Sequence, residues 1–128
     1  MQHKQKCILL VDDNPINLQI GKYILSEKYE VATALSAEQM FYYLECNTPD
    51  IILLDVEMPG INGFEAIQIL KTRDKSKYIP VIFLTSNSAV DDRLKGMSLG
   101  AVDYVIKPYL PQFLFERIAA AWGILPMC

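Results

Sequence analysis

At 128 residues, with 52% hydrophobic and 21% charged residues, the chain has the size of one ordinary domain and the composition of a globular one. A net charge of −3 argues against broad electrostatic binding to nucleic acid or to an anionic membrane, and no apolar stretch approaches the ~18 residues of a membrane span. The single histidine, His3, sits in a polar amino-terminal tail, so a Ser–His–Asp triad, a Cys–His pair or a multi-histidine metal centre is hard to build inside the fold.

Apolar runs alternate with helical patterns along the whole chain. Cys7-Ile8-Leu9-Leu10-Val11 is a continuous apolar run, as expected of a central strand covered on both faces. Asn14-Pro15 then supplies an N-cap and a proline at the first helical position. The helix that follows carries Ile16, Ile20, Tyr23, Ile24 and Glu27, read as its apolar stripe with a polar end. Tyr29 to Ala34 reads as a second strand whose mixed polarity suits an edge. Ser36-Ala37-Glu38-Gln39 is a capping-box pattern opening a helix through Met40, Phe41, Tyr43 and Leu44.

The third strand, Ile51-Ile52-Leu53-Leu54, runs directly into Asp55. Turn formers from Met58 to Gly63 lead to a helix over about Phe64 to Arg73. A fourth strand, Val81 to Leu84, starts after Pro80, and its helix, about Ala89 to Leu99, is stopped by Gly100. Ala101 to Ile106 is the fifth strand, followed by Lys107-Pro108 and a last helix from about Leu110 to Trp122. In that helix Leu114, Ile118, Ala121 and Leu125 are predicted to face the sheet. Phe115, Ala119 and Trp122 form a second stripe, which either packs beneath a neighbour or makes an exposed partner-binding patch.

Strict alternation of strand and helix predicts an α/β fold: a doubly wound, five-stranded parallel sheet of order 2-1-3-4-5 with five helices, flavodoxin-like. Ligands of such sheets bind beyond the carboxyl ends of the strands, where the order reverses. Those ends carry Asp12 and Asp13, Asp55, Thr85 and Lys107. Each alone has a plain structural reading, as a turn residue, a helix cap or a solvated charge. Their convergence on one crevice weakens all of those readings. Carboxylates so close repel one another, and a divalent cation relieves that repulsion. Oxygen ligands without histidine or thiolate favour Mg²⁺, or Mn²⁺, over zinc. An aspartate, a cation, a lysine and a hydroxyl together make an aspartyl-phosphate site.

The segments VDDNP at 11–15, LLDVEMPGINGFE at 53–65, FLTSN at 83–87 and GAVDYVIKP at 100–108 resemble the response-regulator receiver domain of two-component signalling, over about Cys7 to Trp122. The resemblance implies that Asp55 is the phosphoacceptor, that Asp12, Asp13, Asp55 and the backbone carbonyl of Glu57 hold Mg²⁺, and that Lys107 contacts the phosphoryl group. It further implies a cis Lys107-Pro108 peptide and a switch in which Thr85 moves toward the phosphoryl group and Tyr104 turns inward. The changed face would then be helix four, strand five and helix five. Implied partners are a sensor histidine kinase or phosphotransfer protein, a downstream effector and, on phosphorylation, a second copy. Val102 interrupts a commonly acidic stretch and leaves the dimerisation subfamily open.

Rival readings share the fold and not the residues. A flavodoxin-type cofactor protein needs backbone donors after strand one, where Asp12-Asp13 would repel a phosphate. A phosphate-ester hydrolase could use Asp55 with Mg²⁺ but needs a general acid and a substrate pocket, and a pseudo-receiver would not need Asp55, Thr85 and Lys107 intact. The chain therefore reads as a single receiver domain over 1–128, not itself an enzyme, either standing alone or as the amino-terminal receiver of a longer protein. Cys7, Cys46 and Cys128 are odd in number and far apart, fit neither a disulfide framework nor a zinc site, and suit a reducing cytoplasm.

Overall fold

The computed structural model describes residues 5–123, so His3, Leu125 and Cys128 lie outside the described residues. Five strands, β1 (Cys7–Val11), β2 (Glu30–Ala34), β3 (Ile51–Leu54), β4 (Val81–Thr85) and β5 (Asp103–Ile106), alternate with five helices. The helices are α1 (Pro15–Leu25), α2 (Ala37–Leu44), α3 (Gly63–Thr72), α4 (Val90–Ser98) and α5 (Pro111–Ala121). All strand pairs are parallel and the order is β2-β1-β3-β4-β5, as predicted.

Alternate residues of each strand serve opposite faces. Leu9, Val11, Ile52, Leu54 and Phe83 pack with α2 and α3. Ile8, Leu10, Ile51, Leu53 and Ile82 pack with α1 and α5. The strands are thus apolar throughout because both faces are covered. Several local signals act as the sequence suggests. The Asn14 side chain accepts from the backbone N–H of Ile16 and Asn17, and Ser36 accepts from Gln39 N–H. The Gln39 side chain, however, accepts from Leu35 N–H rather than closing a box on Ser36. A full capping box occurs instead at Asn62 and Glu65, at the start of α3.

Two helices differ from expectation. In α1 the buried residues are Leu18, Gly21 and Leu25, while Ile16, Ile20 and Tyr23 are 65%, 53% and 85% exposed. Ile16, Ile20 and Tyr23 of the predicted stripe therefore face outward, only Ile24 packs partly against the core, and Glu27 lies beyond the helix. Gly21 explains the rotation, since a Cβ there would fall 2.7 Å from Leu10 Cδ2. The helix rests on the sheet at its glycine. In α5, Leu114 and Ile118 face the sheet as expected and Ala121 packs partly against it. The second stripe is a buried flank, not an exposed patch: Phe115 is only 7% exposed. Its ring lies 6.0 Å from that of Tyr29, which also meets Trp122 edge-on at 5.3 Å. The indole N–H of Trp122 donates to Asp50 O at 3.0 Å, at the end of the sheet opposite Asp55.

Candidate functional site

The backbones of Asp12, Asp55 and Lys107 are fixed by continuing the sheet's ladder past the strand ends. Asp12 N–H donates to Ala34 O, Asp55 N–H to Val11 O and Lys107 N–H to Thr85 O, at 2.8 to 3.1 Å. Asp12, Asp55 and Thr85 are buried at the bottom of the crevice and Asp13 stands at its rim. One carboxylate oxygen from each of Asp12, Asp13 and Asp55 lies within 4.8 Å of the others. Lys107 Nζ donates to Asp12 Oδ2 at 2.5 Å and to Asp55 Oδ2 at 3.4 Å. Asp12 Oδ1 also accepts from Asn14 N–H, and Asp55 Oδ1 from Glu57 N–H at 3.2 Å. The Lys107-Pro108 peptide is cis, as the resemblance implied.

These contacts set the electrostatics. Burial pushes the Asp55 carboxyl above its ordinary value, helped by the Asp12 charge, while the Lys107 charge, the Thr85 hydroxyl and the Glu57 N–H oppose the rise. Burial works against the Lys107 ammonium, but its hydrogen bond to Asp12 and the Asp55 charge outweigh it and raise its pKa. One lysine thus faces two buried carboxylates with a third close by. This donor set fits a hard divalent cation: Asp12, Asp13 and Asp55 could hold it, with oxygen ligands only.

Thr85 is buried and does not cap α4, whose N-cap is Ala89 with no side-chain hydrogen bond. Its hydroxyl accepts from Asn87 N–H at 3.2 Å. Tyr104 differs from the switch implied above. It is already inward, 3% exposed, with its hydroxyl donating to Asn87 O at 2.8 Å and its ring 5.9 Å from that of Phe83. Gly96 makes the room, because a Cβ there would press on Phe83 and approach Tyr104. Asn87, quoted above only as the end of a motif, gathers both Thr85 and Tyr104. Nothing in its residue type marks it for that role.

The fold and site together define a class of doubly wound parallel α/β domains that gather carboxylates, a hydroxyl and a lysine at the switch point. Residues 8–119 match the response regulator receiver domain, and the chain belongs to that family, a domain of two-component signalling. It is 38% identical over 112 residues to the response regulator PleD of Caulobacter vibrioides, covering 87% of this chain and 25% of that protein. It is 36% identical to the phosphate regulon transcriptional regulatory protein PhoB of Pseudomonas aeruginosa over 90% of this chain and 51% of that protein. The chain thus spans about a quarter and a half of these relatives. Among solved structures it resembles the receiver domain of the sensor histidine kinase PA1611 of Pseudomonas aeruginosa PAO1, with a TM-score of 0.84 and 29% identity over 94% of this chain and 99% of that one. That structure has a magnesium ion coordinated in the active site cleft. Among the described residues of the present chain, no helix is long and apolar enough to cross a membrane.

Proposed function

We propose that Asp55 is the phosphoacceptor, taking a phosphoryl group from the phosphohistidine of a sensor histidine kinase or phosphotransfer protein. The observation that carries this reading is the meeting of three carboxylates and one ammonium at the sheet's switch point. A carboxylate oxygen of Asp55 forms the new bond to phosphorus while the bond from phosphorus to the donor's imidazole nitrogen breaks. The electron pair leaves with that nitrogen. Lys107 is placed to meet a phosphoryl oxygen and Thr85 to donate to another. Asp12, Asp13, Asp55 and the backbone carbonyl of Glu57 would hold Mg²⁺ or Mn²⁺, which when bound offsets the carboxylate repulsion and the incoming phosphoryl charge.

The exposed stripe of α1 suits the donor's seat. Ile20 also lines a groove of about 410 Å³ whose other walls include Ile24, Pro108 and Tyr109 and whose rim includes Asp12 and Lys107. Apolar surface of this kind beside the acceptor lets a helical donor dock while its histidine reaches the crevice. On the output side, exposed Leu94, Met97, Val102 and Phe113 on α4, before β5 and on α5 support that face as the surface read by an effector or by a second copy. The partial span of its relatives supports the amino-terminal receiver of a longer protein as an alternative to a stand-alone regulator. Free Cys7 and Cys46 support a cytoplasmic setting.

The test is intact-mass analysis after treatment with acetyl phosphate and Mg²⁺. One added phosphoryl group is expected on the wild type and none on Asp55→Asn or in excess chelator. Undiminished labelling of Asp55→Asn would refute the assignment.

A further inference from the structure

Helix α4 buries the fewest residues of the five helices. Gly96 is its only buried residue, and no side chain caps its amino terminus. Lys95 Nζ lies 4.8 Å from the Phe64 ring, an exposed cation–π contact of modest strength. What ties its first turn to the site is a single residue, Asn87. The backbone N–H of Asn87 donates to Thr85 Oγ1 at 3.2 Å, and its carbonyl accepts from the Tyr104 hydroxyl at 2.8 Å. Its side-chain oxygen accepts from Ala89 N–H at 3.1 Å, and its side-chain NH₂ donates to Asp92 Oδ2 at 2.7 Å. All four bonds meet on one loop residue, but only the last reaches into α4.

We propose that the Asn87–Asp92 hydrogen bond is a latch that holds Thr85 in its unphosphorylated position and passes Thr85 movement on to α4. The inference rests on Asp55 being the acceptor. When Thr85 is drawn toward a phosphoryl oxygen it pulls on Asn87 through the N–H it accepts from. Asn87 then either releases Asp92 or carries α4 with it. In both cases the bond opposes the Thr85 shift, so its removal lowers the free energy needed to occupy the site. Asn87 and Asp92 are positioning residues, since they act through Thr85.

The experiment titrates beryllofluoride with Mg²⁺, as a phosphoryl mimic, into the wild type, Asp92→Ala, Asn87→Ala, their double variant and Asp92→Asn. Calorimetry gives the affinity, and amide hydrogen exchange of Val90–Ser98 is followed with and without the mimic. Each alanine variant should bind about 3- to 10-fold more tightly, the range for one net hydrogen bond, and the double variant no more tightly than either. Asp92→Asn keeps an acceptor at the same reach and should stay near the wild type, although it loses the same charge at the helix start as Asp92→Ala. Exchange in α4 should respond to the mimic in the wild type and in Asp92→Asn, and should be fast and unresponsive in Asp92→Ala. Unchanged affinity in Asp92→Ala, additive single effects, or Asp92→Asn behaving like Asp92→Ala would overturn the latch. A wild type that binds no mimic would instead overturn the acceptor assignment on which it rests.

Discussion

Substituting Gly63 by alanine probes how rigidly the fold presents Asp55. Gly63 opens α3 just after the crossing from β3, and an ideal Cβ there falls 2.3 Å from the Asp55 carbonyl oxygen and 2.8 Å from Val56 Cα. Ordinary carbon–oxygen contact is about 3.3 Å, so roughly 1 Å of movement is needed, and both obstructing atoms are main chain. The helix start cannot simply retreat, because Gly63 N–H donates to Val56 O at 2.8 Å. Overpacking against backbone belongs in the upper part of the ~1–3 kcal/mol range, and weakening that hydrogen bond adds about 1 kcal/mol. The better helix propensity of alanine returns at most about 1 kcal/mol. Gly63→Ala should therefore lose about 2–3 kcal/mol. With a urea slope of about 1–3 kcal/mol/M, the midpoint should fall by about 0.7–3 M. Displacing Asp55 from Lys107 should also slow phosphoryl uptake in the protein that remains folded. A midpoint within about 0.2 M of the wild type, with unchanged uptake, would show that the close approach is not rigid and refute the reasoning.

Further outcomes follow from the charges and the corrected packing. Because burial raises the Asp55 pKa above its ordinary 3.8, the folded state holds this proton more tightly than the unfolded one. Metal-free stability must then fall as pH rises from about 3.8 through the folded value, and stay lowered above it. Asp55→Asn lacks that loss, so in chelator its urea midpoint should pull ahead of the wild type across this window; equal midpoints at every pH would count against the buried charge. Asp13→Ala should keep the fold, be slightly more stable without metal and bind Mg²⁺ roughly tenfold or more weakly by calorimetry, at least the loss seen for outer-shell partners. Phe115→Ser should lose about 3 kcal/mol or more in thermal or urea unfolding. Ile20→Ser should change stability by about 0.5 kcal/mol or less yet slow transfer from a phosphohistidine donor.

The strand order and the crevice were legible because they depend on coarse signals. Three apolar runs of four or five residues, Cys7–Val11, Ile51–Leu54 and Val81–Leu84, specify a covered parallel sheet, and the residues ending its strands must then meet. The face of α1 was not legible by counting apolar residues. Ile16 and Ile20 have the same spacing as a core stripe, whereas the true contact face contains Gly21, which carries no hydrophobic signal and acts only through what it leaves out. The position of Tyr104 depends on a carbonyl of Asn87 and on the space above Gly96, two features of a loop and a helix seat that no periodicity encodes. Phe115 illustrates the opposite case: its stripe was visible, but only the position of Tyr29 shows that it is covered.

The bond between Lys107 and Asp12 joins residues 95 positions apart in a chain of 128. At synthesis rates of about 5–20 residues per second, these two partners are made roughly 5–20 s apart. Until the fifth strand has been made and paired, Asp12 and Asp55 already exist but lack the ammonium that faces them. On the proposed roles of Asp55 and Lys107, a chain that stops before Lys107 is expected to take up little phosphoryl group even when its first three strands are in place. Pairing of the fifth strand and assembly of the proposed acceptor site therefore arrive as one event.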